Sequence, residues 1–260
     1  MRRIHPTAVI EPGAEIADDV VVGPFCHIEK EVVVQSGCVL GGRVSLLGRT
    51  VLGKNCRVHA GAVVGDLPQD LAYDPKTRSG VRIGDGCVIR EGVTIHRGTK
   101  PDTDTIIGDG CFLMAMSHCA HNVVLQENVI LANGVLLAGY VEVGARTFIG
   151  GASAVHQFCR IGRLAMIGGT TALSQDFPPF CMSRTNGLNE VVGLNVIGLR
   201  RAGISPEDRS AIKGAYKILF FSGLSRADAV SEIRRRFPGG PARELADFAA
   251  SSSRGLCRPR

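Results

Sequence analysis

The sequence predicts a mainly β protein: a parallel β-helix of hexapeptide repeats, followed by a C-terminal α-helical domain. Aliphatic residues recur every six positions, without a miss from Ile4 to Val64 and again from Ile107 to Leu173. The single exception is Cys119, and a thiol is itself a small hydrophobe. A period of six fits neither an α-helix nor an alternating strand, but it is typical of coils with three short strands. One coil then takes about eighteen residues, so residues about eighteen positions apart should stack.

Two interruptions of the repeat are predicted to leave the β-helix as loops. The first covers residues 65–80, contains two prolines and carries no six-residue pattern. The second covers residues 97–106, and between the two the repeat resumes at Ile83, Ile89 and Ile95. Loops on a rigid scaffold often carry binding residues. An insertion without function is the alternative.

The repeat stops at Pro178-Pro179, and we place the domain boundary shortly after it. Residues 1–188 are predicted to form the β-helical domain and residues 189–260 the helical domain. The chain carries 30 Lys and Arg against 24 Asp and Glu, a net charge of +6. Thirteen of these basic residues and seven of the acidic ones lie in residues 189–260, so the whole excess belongs there. This segregation favours an acidic partner over a uniformly charged, solvated surface.

Three helices are predicted in the C-terminal domain. Ser205 is a predicted N-cap with Pro206 in the first turn. Ser225 is a second predicted N-cap, and its helix ends with Arg234–Arg236, where cations suit the helix dipole. A third helix is predicted over residues 242–250. We expect these helices to pack on the end or flank of the β-helix and to close its open edge.

The nine cysteines follow the repeat and form no CxxC or zinc-finger pattern. Most stand at small-residue positions, as in Gly37-Cys38 and Asn55-Cys56. We therefore predict buried, reduced thiols in a cytoplasmic protein. The repeat begins at Ile4, and no run of about 18 apolar residues occurs. Neither a signal peptide nor a membrane span is expected.

Polar residues interrupt the second repeat block at Ser117–Asn122, and we predict the chemical centre there. Steps of about eighteen from His121 reach Gly139 and Gln157, so the three should share one column. An imidazole can accept a proton from an attacking hydroxyl, and a free glycine N–H can stabilise an oxyanion. The histidines could instead merely cap strand edges. A zinc site between subunits is a further alternative, although no suitable set of histidines is evident.

The chain resembles the UDP-N-acetylglucosamine O-acyltransferase family, which catalyses the first step of lipid A biosynthesis in Gram-negative bacteria. The resemblance extends over nearly the whole chain, including the predicted helices. The matching motifs are Gln69–Leu71, Ile89–Thr99, Ser117–His121, Ile130–Asn133, Ala154–Cys159, Gly198–Arg201 and Ser253–Leu256. It implies a left-handed β-helix, an exception to the usual crossover handedness. It also implies a homotrimer whose active sites lie between subunits.

The resemblance further implies the substrates and the site residues. The acceptor would be UDP-N-acetylglucosamine and the donor a 3-hydroxyacyl group on acyl carrier protein, an acidic partner that suits the basic domain. His121 would be the general base and the Gly139 N–H the oxyanion donor. Gly169 lies where the family gauges acyl length and should leave room for a long chain. The remaining implied substrate contacts are Gln69 and Asp70 at the sugar, His96, His118, His156 and Gln157 in the cleft, and Asn195 and Arg201 at the nucleotide.

Four positions depart from the family pattern. The family usually has Asp at Asn122, Lys at Ala72, His at Tyr140 and an acidic residue at Ile197. Asn122 can still form a hydrogen bond, but it cannot stabilise an imidazolium by charge, which would make His121 a weaker base. We keep Asn122 and Tyr140 among the predicted substrate-binding residues. Because these changes cluster at the sugar site, they leave open an acceptor with an amine at position 3, which needs no strong base.

The predicted function is O-acylation of the 3-hydroxyl of UDP-N-acetylglucosamine in the cytoplasm. The enzyme is expected to use no metal or other cofactor and to bind no nucleic acid. Three alternatives remain: amide formation on a 3-amino sugar nucleotide, the later N-acyltransferase of the same pathway, and a non-catalytic β-helix that acts as a binding module.

Overall fold

Strands of two to four residues form the three faces of a parallel β-helix. The computed structural model describes residues 3–259. The first face is an eleven-stranded sheet. Its strands, in spatial order, are β1 (Arg3–Ile4), β4 (Val21–Val22), β7 (Val39–Leu40), β10 (Arg57–Val58), β13 (Val88–Ile89), β16 (Phe112–Leu113), β19 (Ile130–Leu131), β22 (Phe148–Ile149), β25 (Met166–Ile167), β27 (Cys181–Met182) and β28 (Gly193–Leu194).

The second and third faces have nine and eight strands. The second face contains β2 (Val9–Ile10), β5 (His27–Ile28), β8 (Ser45–Leu46), β11 (Val63–Asp66), β14 (Thr94–His96), β17 (His118–Cys119), β20 (Leu136–Leu137), β23 (Ala154–Val155) and β26 (Ala172–Leu173). The third face contains β3 (Glu15–Ile16), β6 (Val33–Val34), β9 (Arg49–Leu52), β12 (Gly80–Ile83), β15 (Asp104–Ile107), β18 (Val124–Leu125), β21 (Glu142–Val143) and β24 (Arg160–Ile161).

Neighbouring coils stack in the predicted register. His118 pairs with Leu136, and Leu136 pairs with Ala154 in the next coil. From β4 to β26, each two-residue strand points its first side chain outwards and its second inwards, because side chains alternate across a strand. This alternation and the corner turns together produce the period of six. The fold confirms the predicted parallel β-helix of hexapeptide repeats with a helical C-terminal part.

The inward side chains form one continuous apolar core along the β-helix. Every repeat residue of the second block is buried: Ile107, Leu113, Cys119, Leu125, Leu131, Leu137, Val143, Ile149, Val155, Ile161, Ile167 and Leu173. Burial of each large aliphatic side chain contributes roughly 1.5–3 kcal/mol relative to leaving it exposed. Ile4 in the first coil is 37% exposed, because coils pack on only one side of it. The nine cysteines are buried and unpaired, as predicted.

The two interruptions of the repeat form loops that lie side by side. They occupy residues 67–79 and 97–103, slightly shorter than predicted, because strands β11, β12 and β15 extend into the predicted ranges. The Asp102 N–H donates to the Arg78 carbonyl at 2.8 Å, which joins the loops. The Asp104 carboxylate anchors the second loop to the third face, with oxygens 2.8 Å from Arg49 and 2.5 Å from Arg82.

Four helices follow the β-helix: α1 (Val196–Arg201), α2 (Pro206–Phe221), α3 (Arg226–Arg236) and α4 (Gly240–Ala250). The Ser205 and Ser225 hydroxyls cap α2 and α3, as predicted. Helix α4 begins two residues before the predicted start. Helix α1 was not among the predicted helices, because six residues are too few for a visible helical period. Within residues 3–259, no helix combines the length and apolarity needed to cross a bilayer.

The C-terminal part is not purely helical, because two short strands precede α1 and the chain pairs with the β-helix again after α4. Strands β27 and β28 continue the first face, and β28 runs antiparallel to β27. After α4 the chain returns to the β-helix, where Asp176 pairs with Leu256 and Glu190 with Arg258. Cys257 joins the core of the β-helix. Isolated pairings between residues so distant in sequence leave no periodic signal.

The helices pack on the end of the β-helix, as expected. A second apolar cluster joins Leu164 and Phe180 to residues of all four helices, among them Leu199, Ile212, Ile233 and Leu245. The Nε–H of Arg163 donates to both carboxylate oxygens of Glu244 in α4, and the guanidinium lies over the Phe180 ring. This packing holds the helical part against the last coils.

Candidate active site

An open groove of about 580 Å³ runs along the second face of the β-helix. Aliphatic side chains of β20 and β23 form part of its wall. Its polar lining consists of Gln69 from the first loop together with His118, His121, Gly139 and Gln157. Five predicted site residues therefore meet in one place, although they are spread over almost ninety positions of the sequence.

His121, Gly139 and Gln157 occupy equivalent corner positions in three successive coils, after strands β17, β20 and β23. The imidazole of His121 lies over Gly139, where an added Cβ would come within 2.6 Å of Nε2. Only glycine leaves room for the ring at this distance. The Gly139 N–H has no hydrogen-bond acceptor among residues 3–259. An imidazole and an unpaired amide donor are thus adjacent, as the stacking of the coils predicts.

Asn122 connects His121 to the second loop. Its Oδ1 lies 3.2 Å from Nδ1 of His121 and 3.0 Å from both the backbone nitrogen and the hydroxyl of Thr99. Its Nδ2 lies 3.1 Å from the Thr103 hydroxyl. The Asn122 backbone N–H donates to the hydroxyl of Thr105 at 2.8 Å. The carboxamide is buried and hydrogen-bonded on both sides, so its position is fixed.

Tyr140 and Phe158 stand one and two coils beyond Asn122 in the same corner. Both residues have positive φ, 60° for Tyr140 and 65° for Phe158, which is unusual for bulky side chains. Their rings stack with centroids 5.0 Å apart, and the edge of Tyr140 meets His121 with centroids 5.3 Å apart. The same positive φ recurs at turn residues of other coils, such as Phe25 and Leu164, so it belongs to the repeat and not to the site alone.

His96 and His118 lie on strands β14 and β17, and their rings meet edge to face at 4.9 Å. Burial lowers the pKa of His118 to about 4, and the neighbouring His96 adds to the effect. Burial also lowers the pKa of His96. The hydroxyl of Thr94 lies 2.7 Å from Nδ1 of His118. Both imidazoles are therefore neutral near pH 7, and His118 can form hydrogen bonds in the groove.

Other predicted site residues lie outside the groove lining, as His96, Asn122 and Tyr140 do. Asp70 is exposed in the first loop, where its Oδ1 accepts from the Ala72 N–H at 2.9 Å. His156 is exposed near the groove, and its Nδ1 lies 3.2 Å from the Arg254 guanidinium. Gly169 stands at the opposite edge of the second face, before β26, where it packs on Gly151 of the preceding coil.

Asn195 and Arg201 line a different pocket, of about 770 Å³, on the first face. Phe148, Met166 and Ile197 form part of its apolar wall. The side chain of Asn195 is engaged in structure: it caps α1 and donates to the Leu164 carbonyl at 2.9 Å. One chain thus carries the predicted nucleotide residues and the predicted catalytic residues on two different faces.

Thr99 and Arg254 contact site residues but were given no role from the sequence. Thr99 belongs to a motif that resembles the family, yet only the folded loop brings it to Asn122. Arg254 reaches His156 because the chain returns after α4, and no local pattern indicates that return. Within the described range 3–259, no three His, Cys, Asp or Glu side chains are grouped so that they could hold a metal ion.

Comparison with known proteins shows the family to which this chain belongs. A family model described as UDP N-acetylglucosamine O-acyltransferase, domain 2, matches residues 176–257. A model of the hexapeptide repeat of succinyl-transferase matches residues 31–66, 77–97 and 104–138. Solved UDP-N-acetylglucosamine acyltransferases from Campylobacter jejuni and Francisella novicida are 36% and 35% identical, with TM-scores of 0.93 and 0.94. The matches cover 99% and 98% of this chain and 100% and 94% of those chains.

Two relatives carry the name acyl-[acyl-carrier-protein]–UDP-N-acetylglucosamine O-acyltransferase. The protein from Campylobacter concisus is 40% identical over 257 residues, which cover 98% of this chain and 97% of that protein. The protein from Burkholderia mallei is 43% identical over 265 residues, which cover 99% and 100%. The chain therefore belongs to the UDP-N-acetylglucosamine O-acyltransferase family.

Proposed function

We propose that this protein transfers an acyl chain from acyl carrier protein to UDP-N-acetylglucosamine, the first step of lipid A biosynthesis. Its relatives are named for this reaction. The observation that carries the proposal is the contact between the imidazole of His121 and Gly139, whose N–H is unpaired. Acyl transfer needs a base for the attacking hydroxyl and a donor for the oxyanion, and these two groups supply both.

In the proposed mechanism, Nε2 of His121 accepts the proton of the sugar 3-hydroxyl as its oxygen attacks the thioester carbonyl. The carbonyl oxygen becomes negative, and the Gly139 N–H donates a hydrogen bond to it. The tetrahedral intermediate collapses, the carbon–sulfur bond breaks, and the imidazolium of His121 returns its proton to the departing thiolate. One donor to an oxyanion contributes about 2.7–4 kcal/mol of transition-state stabilisation.

The substrate contacts belong to this proposal as well. Gln69 and His118 line the groove beside His121, where they can hold the sugar, with His96 buried behind. Asp70 would reach the same sugar from the first loop. His156 and Gln157 extend the lining along the next coils. Gly169, at the far edge of the same face, would leave room for a long 3-hydroxyacyl chain.

A 3-amino sugar nucleotide is the second candidate acceptor, and Asn122 is the observation that favours it. Asn122 accepts hydrogen bonds but brings no charge to His121, and a neutral amine attacks without a strong base. Purified protein assayed in parallel with UDP-N-acetylglucosamine and its 3-amino analogue decides between them. Equal or faster turnover of the hydroxyl sugar removes the amine candidate.

The acidic donor protein is proposed to approach helix α2. Lys213 and Lys217 flank an apolar pocket of about 550 Å³ that includes Tyr216 and Phe221. Several arginines of α3 and α4 are instead occupied, since Arg234 pairs with Asp247 at 2.7 Å, for example. Free lysines beside an apolar pocket can attract an acidic carrier and hold its acyl group. The nine unpaired thiols suit the reducing cytoplasm, where we expect the reaction.

A homotrimer with sites between subunits is the proposed assembly. Outward side chains on the first face form an apolar row: Phe112, Ile130, Phe148 and Met166. Leu136 on the second face is 50% exposed. In the row on the first face, the first three side chains are partly exposed and Met166 is 40% exposed, and contiguous exposed apolar surface often marks an interaction site. Threefold packing of a first face against a neighbour's second face would bring the pocket of Arg201 towards the groove of His121.

Replacing His121 tests the proposed reaction directly. We expect His121→Ala to lower kcat by about 10²–10⁴-fold with acyl carrier protein substrates, because the general base is lost. His59→Ala, in an earlier coil outside the groove, is the matched control. Turnover of His121→Ala at the wild-type rate would refute the role of His121.

A further inference from the structure

We infer that Thr99 and Tyr140 are positioning residues that orient the Asn122 carboxamide and thereby fix the tautomer of His121. The inference rests on the proposed role of His121 as the general base. It concerns a hydrogen-bonded chain of four side chains, which runs from Tyr140 through Thr99 and Asn122 to His121.

The orientation of the Asn122 carboxamide follows from its neighbours. A backbone N–H can only donate, and the Thr99 nitrogen lies 3.0 Å from one terminal atom of Asn122, which must therefore be the oxygen. The other terminal atom faces the hydroxyl of Thr103 at 3.1 Å. That hydroxyl donates to the Lys100 carbonyl at 2.8 Å, so it can accept from the Asn122 amide. The contacts on both sides of the carboxamide therefore indicate the same orientation of its oxygen and nitrogen.

The same oxygen fixes the proton on His121. Asn122 Oδ1 has no proton to donate and lies 3.2 Å from Nδ1 of His121, so the favourable tautomer carries its proton on Nδ1. Nε2, which lies over Gly139, then keeps its lone pair. A flipped carboxamide would present NH₂ to Nδ1 instead and would favour a proton on Nε2. The base would then be lost.

Thr99 and Tyr140 hold the orientation. The Thr99 hydroxyl has one proton, which it donates to Asn122 Oδ1 at 3.0 Å, and it then accepts from the Tyr140 hydroxyl at 2.9 Å. The Tyr140 ring is itself held between Phe158 and His121. A carboxylate in place of Asn122 would present an oxygen on both sides. The neutral carboxamide needs orienting groups, and these two residues supply them.

The test measures the tautomer and the kinetics separately. Two-bond proton–nitrogen NMR of protein labelled with ¹⁵N-histidine distinguishes a proton on Nδ1 from one on Nε2, and His121→Gln assigns the signal. We expect Nδ1–H in the wild type. In Thr99→Val and Tyr140→Phe we expect a rise of the Nε2–H form, and a kcat lower by about tenfold at unchanged KM. Thr99→Ser should restore the wild-type behaviour.

The same substitution in an Asn122→Asp protein distinguishes a loss of carboxamide orientation from general damage to the site. We expect Thr99→Val to cost little further kcat in an Asn122→Asp protein, because a carboxylate needs no orienting. Thr7→Val and Tyr73→Phe each remove a hydroxyl hydrogen bond elsewhere and should leave the His121 signal unchanged. An Nε2–H wild type, an unchanged tautomer in both variants, or an equal loss of kcat in both backgrounds overturns the inference. Failure of the proposed function appears separately, as turnover by His121→Ala.

Discussion

Asn122 gives His121 a hydrogen-bond acceptor that carries no charge. A carboxylate at the same distance favours the protonated imidazole, because opposite charges within about 4–6 Å attract. We expect Asn122→Asp to move the acid limb of the pH profile of kcat/KM upwards by about one pH unit. The profile of the purified variant with its best acceptor measures the shift. An unmoved acid limb would mean that His121 does not set it.

The lowered pKa values of His96 and His118 should make the fold sensitive to acid. Burial holds the pKa of His118 at about 4, whereas an unfolded histidine titrates near about 6.5. The unfolded chain therefore binds more protons below about pH 6.5, and stability falls as the pH falls from about 6.5 towards about 4. We expect His118→Gln to reduce this fall by on the order of 1 kcal/mol, because solvent screens the partly exposed ring.

The melting temperatures of wild type and His118→Gln, at about pH 7.5 and about pH 5 and fixed protein concentration, measure this effect. His59→Gln is the control, and His96, whose pKa is also lowered by burial, should leave some acid sensitivity in the variant. An identical pH dependence in all three proteins would contradict the expectation.

The stacking of His121, Gly139 and Gln157 could be predicted from the sequence, whereas the residues that orient His121 could not. A repeat of fixed length determines which residues stack, so His121, Gly139 and Gln157 could be aligned by counting. The contact between Asn122 and Thr99 depends on how the second loop folds back, and loops carry no period. The position of His121 on the coils can be counted, but Arg201 lies in α1, and no counting shows that the two residues line separate pockets.

The same contrast holds for whole elements. Strands, core residues and the Ser205 and Ser225 caps follow from local patterns, since alternation and capping act over a few residues. The added strands β27 and β28 and the return of residues 252–258 follow from contacts across the fold. Cys257, for instance, enters a core whose other residues mostly lie far earlier in the sequence.

Asp104 ties the second loop to the third face, and its loss should loosen the loop that carries Thr99. Its side chain is only 10% exposed and pairs with Arg49 and Arg82. We expect Asp104→Asn to destabilise the protein by about 1–3 kcal/mol, because the half-buried Arg49 guanidinium loses its closer carboxylate and the exposed Arg82 loses its ion pair. We also expect kcat to fall about threefold to tenfold, since Asn122 loses a fixed neighbour.

Chemical unfolding and steady-state kinetics of the same preparation check both effects. Asp109→Asn is a matched control, because its carboxylate accepts a backbone N–H in a corner turn away from the loops. Equal losses of activity in the two variants would show that Asp104 has no special connection to the site.

The oligomeric assembly decides whether the groove of His121 and the pocket of Arg201 can bind the same substrate molecule. The proposed catalytic residues His121 and Gly139 line the groove of the second face, and Asn195 and Arg201 line the pocket of the first face. A sugar nucleotide has its sugar and its base at opposite ends, so one molecule could occupy a groove and a neighbour's pocket together. Closed symmetry then creates identical sites at every interface.

Mixed trimers test this sharing. His121→Ala and Arg201→Ala should each impair the enzyme when present alone. When the two variants are co-expressed in equal amounts, the mixed trimers should regain activity. A site is intact whenever a groove with His121 meets a neighbouring pocket with Arg201. Random mixing produces this combination at about one quarter of the sites. His121→Ala mixed with Gln157→Ala is the control: both residues line one groove of one chain, so no recovery is expected. Recovery in neither mixture would mean that each chain binds its substrate alone.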